Sequence, residues 1–188
     1  MTWYDFLLFV HISCAAVWVG GSSVMQFFGL RALATGSADR LVGFLGDIEW
    51  IGFRVLLPFS LGAFLAGLAL VRNAAFWKIG DDWIVIGLAL FALTFLAGLL
   101  FFGPEGGRIG KLVEAEGPSS AAVQERIKRL IVLTRIDLVL LFLIVFDMVV
   151  KPSFDDGWTI VGALVAAAAL SLLLVSVGRG TRAAATAV

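Results

Sequence analysis

WYDFLLFVHISCAAVWVGGSSVMQFFGL, residues 3–30, decides the fold class. It is apolar for longer than the roughly 20 residues an α-helix needs to cross a bilayer. Its only charge is Asp5, and no Lys or Arg precedes the apolar run. A cleaved signal peptide has a basic start and a shorter core, so the stretch reads as a retained first helix. It also holds the only histidine, His11, the only cysteine, Cys14, and the pair Gly20-Gly21.

Working outward, the rest of the chain repeats this character. Of 188 residues, 61% are hydrophobic and 15% are charged, about half the share of an ordinary soluble surface. The formal net charge is zero, which gives nucleic acid nothing to bind. One cysteine rules out an internal disulfide and any zinc site built on several cysteines. The expected fold is all-α: a polytopic bundle of five transmembrane helices in a single domain over 1–188. The spans fall near 4–30, 48–71, 82–102, 130–150 and 158–177.

The segments between spans follow from their polar residues. Residues 31–47 form an interfacial loop, with a short helix expected because Leu41, Phe44, Leu45 and Ile48 share a face. In the second span Gly62, Ala66 and Leu70 form a face suited to close helix contact, and Pro58 bends the helix or lies on its exposed side. The third span is uncharged from Trp83 to Phe102 and is assigned no chemistry, with Gly87 and Gly98 as packing points. Gly103-Pro104 then ends it. EGGRIGK, residues 105–111, lacks the spacing of a phosphate loop and follows a membrane helix instead of a strand. Residues 119–129 repeat Val123 and Ile127 beside Arg126, Lys128 and Arg129, which predicts an amphipathic segment at the lipid surface. In the fifth span an alanine run permits tight packing, and the tail from Gly178 reads as flexible.

Basic residues set the expected orientation. Arg31, Arg40, Arg108, Lys111, Arg126, Lys128, Arg129, Arg179 and Arg182 fall on one side, nine in all, and Arg72, Lys78 and Lys151 on the other. The positive-inside rule then puts the N-terminus outside and the C-terminus in the cytoplasm, in the cell inner membrane.

Depth along the spans sorts the remaining polar residues into two groups. The outer group is His11, Asp147 and Lys151, with Met148 beside them. His11 lies roughly 10 Å along the helix from Asp5. It can ligate a haem iron, bind copper or relay a proton, or it can be a plain interfacial histidine. Met148 is a possible second soft ligand or a packing residue. Asp147 and Lys151 are four apart and can pair on one helix face. The inner group is Glu49, Arg54, Arg135 and Asp137. Arg54 can meet Glu49 or Asp137 and fix packing, or hold a headgroup or a propionate. Arg135 and Asp137 are two apart and do not share a face. His11, Ala15, Trp18, Ser22 and Met25 form one stripe of the first helix. Gly20 and Gly21 thin that helix, so a flat group or another helix can approach there.

The stretch HISCAAVWVGGSSVMQFFGLRAL, residues 11–33, resembles the first helix of the DUF2269 family of predicted integral membrane proteins. It is more distantly similar to copper-resistance protein D and to the bacterial membrane protoporphyrinogen oxidase. The shared pattern is a first-helix histidine, a Trp-x-Gly and a following Arg, here His11, Trp18, Gly20 and Arg31. FDMVVKP, with Lys151 and Pro152, resembles the group's late-helix segment. The oxidase resemblance implies haem b on His11; position along the helices then offers the Leu7 carbonyl to orient the ring, room at Ala15, Gly20 and Gly21, and Lys151 as propionate partner. The chain has no second histidine, so bis-histidine ligation would need a second copy. A homodimer is expected on that ground and from the small-residue faces. Two functions follow as expectations: a haem-associated redox or sensing protein, or a small transporter, permease subunit or assembly partner without a cofactor.

Overall fold

The structure is a computed structural model that describes the backbone of residues 1–185 and the side chains of residues 1–176. It contains five long helical passes and, among the described residues, no strand. The first is α1, Trp3–Thr35. Its first turn closes reciprocally: the Asp5 amide donates to Thr2 Oγ1 at 3.2 Å and the Thr2 amide donates to Asp5 Oδ2 at 2.7 Å. Two amides left over at a helix start are thereby satisfied. Gly36 ends the helix at φ 63°, in the left-handed region open to glycine. One residue later Ser37 caps α2, Ala38–Ile51.

The second and third passes each run through a proline. Residues Gly52–Leu56 form a π-turn between α2 and α3, Leu57–Asn73. Residues Gly98–Phe102 form another between α4, Asp82–Ala97, and α5, Gly103–Glu116. In each, the amide just before the proline reaches back five residues, Leu57 to the Gly52 carbonyl and Gly103 to the Gly98 carbonyl. A proline inside a helix lacks an amide and collides with the carbonyl four residues earlier. The wider turn moves that carbonyl away, so the helix continues. Gly103-Pro104 therefore does not end the third pass, as its composition suggests. The helix extends another 14 residues as α5.

The fourth pass is α6, Ala121–Val150, and the fifth is α7, Gly157–Ala185. The expected tail is helical through Ala185, and residues 186–188 lie outside the described residues. A 33-residue helix is about 50 Å long against a hydrocarbon core of about 30 Å, so the passes project beyond the bilayer at one end.

At that end lies the best-buried core. Ala32, Leu41, Phe44, Leu45, Ile109, Val123, Ile127, Leu130 and Ile131 pack together from α1, α2, α5 and α6. Gly29 makes the approach possible, because a Cβ there would meet the Phe44 ring at 3.0 Å. Glu105 ties α5 to α6 through Arg126 at 2.9 Å. Val123 and Ile127 thus pack on neighbouring helices, and the segment is not a lipid-surface helix as expected. Where these side chains are taken out of water, burial of each large one contributes about 1.5–3 kcal/mol.

Inside the membrane the contacts are different in kind. α1 and α3 are the most extensive pair, and α6 is central, packing on α1, α4 and α7. Cys14 Sγ lies where a Cβ on Gly62 would be only 2.9 Å away, and Ala63 and Ala66 are buried beside it. That is the small-residue face expected in the second span, here meeting α1. Four passes are long and apolar enough to cross a membrane: Trp3–Thr35, Ala38–Asn73, Asp82–Glu116 and Gly157–Ser176. The remaining long helix, α6, carries Arg135 and Asp147 buried within the bundle. The alanine run of α7 is largely exposed within one chain, and the main packing partner of α7 among the described residues is α6.

Candidate functional site

His11 stands in the α1–α3 interface. Its Nδ1 donates to the Ala63 carbonyl at 2.7 Å, which leaves Nε2 with the free lone pair in the neutral ring. The orienting carbonyl comes from the opposing helix and not from Leu7. Gly67 makes room for the ring, since a Cβ there would lie 3.1 Å from it. Met148 belongs to a different contact: its methyl group lies 2.8 Å from where a Cβ on Gly87 would be. Asp147 fills the rest of that notch, 2% exposed, with neither carboxyl oxygen meeting a donor among the described residues.

Asp147 and Lys151 do not pair. Lys151 ends α6 in the left-handed region, at φ 52°. That turn carries its ammonium over the rings of Trp77, at 4.5 Å, and Trp83, at 5.3 Å. A cation–π contact replaces the expected ion pair.

The inner group separates into three places. Arg54 lies over Trp50 at 5.2 Å and meets neither Glu49 nor Asp137. Arg135, 2% exposed, donates from Nη1 to the Leu174 carbonyl of α7 at 2.9 Å. Asp137, two residues on, faces the other way, as the spacing requires. It lines a cleft shared by α1, α6 and both π-turns.

That cleft, of about 210 Å³, gathers polar side chains from several passes, Gln26, Ser60, Thr94, Thr134 and Asp137 among them. Trp18 forms part of its wall and meets Phe91 edge-on at 5.6 Å, while Phe91 stacks on Phe64 at 4.6 Å. This aromatic layer separates the cleft from the level of His11. Gly21, expected to leave space for a flat group, is filled by Leu56, and Gly20 faces open space.

Acceptors dominate the cleft. Ser60, Thr94 and Thr134 line it, and each hydroxyl donates to its own helix, to Leu57, Phe91 and Ile131. Their remaining capacity is as acceptors. Gln26 Oε1 and Asp137 Oδ1 are buried with no hydrogen-bond partner among the described residues. Glu49 adds a second carboxylate, and no Lys, Arg or His lines the space. The π-turns contribute too. Leu57 bonds to Gly52 and Pro58 has no amide, so the Phe53 carbonyl lacks an intrahelical donor. The same count frees the Leu99 carbonyl, and both residues line the cleft.

Sequence reasoning singled out Asp137, Glu49 and Trp18 but missed Gln26, Ser60, Thr94 and Thr134. A signal was present. Gly52 and Pro58, and again Gly98 and Pro104, repeat Gly-x5-Pro in two successive passes, and both repeats open onto this cleft. Among the described residues no group of three or more His, Cys, Asp or Glu side chains is placed to hold a metal ion.

The chain belongs to the DUF2269 family, described as a predicted integral membrane protein, whose model matches residues 5–152. The matched stretch takes in α1 to α6, and with them the whole cleft. No curated protein and no solved structure matches the chain.

Proposed function

We propose that this integral membrane protein is a non-enzymatic small permease or permease subunit that binds a small cationic solute in the acceptor-lined cleft. One observation carries the reading: a cleft among apolar passes holds Asp137, Glu49 and free acceptors but no basic side chain. Ionisable groups inside membrane helices are rare and mark solute or ion pathways. The two π-turns free the Phe53 and Leu99 carbonyls beside these carboxylates, and carbonyls of irregular helix turns are groups that cations bind. A primary alkylammonium ion fits both conditions, with three donors for several acceptors and one positive charge for Asp137. The test is thermal stabilisation of the purified protein by methylammonium and butylammonium, followed by uptake into proteoliposomes. Asp137→Asn should weaken binding about tenfold or more, the loss expected when a charge-assisted hydrogen bond is removed. Binding that is absent from the wild type, or unchanged in the variant, sinks the reading.

A second reading is favoured by the His11–Ala63 hydrogen bond, which orients the imidazole as an axial haem ligand requires. The residues present supply one such ligand. Leu56 occupies Gly21, so a macrocycle fits only against the open side of α1 near Gly20, where a second copy would supply the other face. Haem b and a homodimer would then form together in the inner membrane. Wild-type protein supplied with haem should show a Soret band, lost in His11→Ala, and should run as a dimer in mild detergent. A colourless wild type removes this reading and leaves the first intact.

A further inference from the structure

A second concavity, a groove of about 580 Å³, lies between the end of α1 and α2, behind the cleft. Met25 lines both spaces, and Ile51 faces the groove while the next residue, Gly52, faces the cleft. The groove has an apolar half, with Met25, Phe28 and Ile51, and a charged half, with Arg31, Arg40 and Asp47. No hydrogen bond or ion pair engages either guanidinium among the described residues.

Its position coincides with the bilayer surface. Phe27 and Phe28 are 72% and 52% exposed on α1, immediately before the chain turns polar at Arg31. Trp50, 54% exposed and under the Arg54 guanidinium, marks the same level on the second pass. Exposed tryptophans collect at the headgroup layer. The two arginines therefore stand where lipid phosphates lie, and the apolar half continues toward the acyl chains.

We propose that this groove binds one anionic phospholipid, its phosphodiester held between Arg31 and Arg40 and an acyl chain laid along Phe28, Met25 and Ile51. Guanidinium groups suit the oxygens of a phosphate by their forked geometry. Asp47 decides the class of headgroup. Two arginines and one aspartate leave the groove at a net charge of one, which a single phosphodiester neutralises. A choline headgroup adds a cation the groove does not need. The inference is independent of what the cleft binds.

Native mass spectrometry of the full chain, released from membranes into mild detergent, tests it. One phosphatidylglycerol per chain should survive, and phosphatidylcholine of the same chain length should not. The double variant R31Q/R40Q should lose retention about tenfold or more, consistent with the removal of charge-assisted contacts. Asp47→Asn should strengthen it. Both arginines are exposed, so the variants should keep the melting temperature of the wild type, which is measured alongside. Equal retention of both lipids, or retention unchanged in the double variant, overturns the proposal. Displacement of the lipid by millimolar inorganic phosphate also overturns it, because the site would then be one for free phosphate.

Discussion

His11 shows how far a single residue's meaning depends on its neighbour. Its uniqueness and depth are plain in the sequence. Its engagement with Ala63 is not, because the carbonyl lies 52 residues away. The contact rests on Gly67, so Gly67→Ala should press a methyl group on the imidazole and destabilise the protein by about 1–3 kcal/mol. In a His11→Ala background the same substitution should cost little. Unfolding in detergent of the two single variants and the double variant measures that coupling. Equal costs in both backgrounds would show that the His11 ring does not occupy the Gly67 notch. The charged residues behave alike. Asp147 and Lys151 have the right spacing to pair, yet the left-handed turn at Lys151 directs its ammonium to Trp77 and Trp83. Local spacing shows which pairs are possible, and the backbone turn chooses among them.

At the scale of elements, the prolines are the instructive case. Pro58 reads as a bend or an exposed position and Pro104 as a stop; Pro58 is exposed, and each proline sits just after a π-turn that lets the helix pass. The freed carbonyls give this a functional consequence. Pro58→Ala restores an amide within reach of the Phe53 carbonyl. It should weaken alkylammonium binding several-fold while leaving the melting temperature unchanged or raised, because a helix-interior proline costs about 3 kcal/mol. A variant that melts higher and binds as tightly would show that the Phe53 carbonyl takes no part. Residues 121–130 teach a related lesson. Their amphipathic pattern is visible in the sequence, but pattern alone does not distinguish a lipid surface from α2 and α5, against which Val123 and Ile127 pack.

For the whole molecule, the nine-to-three distribution of basic residues predicts, by the positive-inside rule, that the end core and its groove face the cytoplasm, which requires α6 as a fifth crossing. In a Cys14→Ala background, a cysteine at Asp81 should react with an impermeant maleimide added outside intact cells. One at Ser119 should react only after permeabilisation, and the reverse pattern would invert the molecule. The membrane class and the existence of the helical passes were determined by the sequence alone; their limits were not, since the second pass begins at Ala38 and the third runs through Pro104 to Glu116. Class and passes follow from uninterrupted apolar length, a local property that the bilayer thickness converts into a helix. The cleft, the partner of Arg135, the place of Asp137 in the cleft wall and the space around His11 were decided only by tertiary structure. The reason is physical. A helix in water marks its buried face by apolar residues, whereas a helix in lipid is apolar toward both lipid and protein. Periodicity then does not say which side faces inward, and only the packing of α1, α3, α4 and α6 turned these few polar groups toward one another.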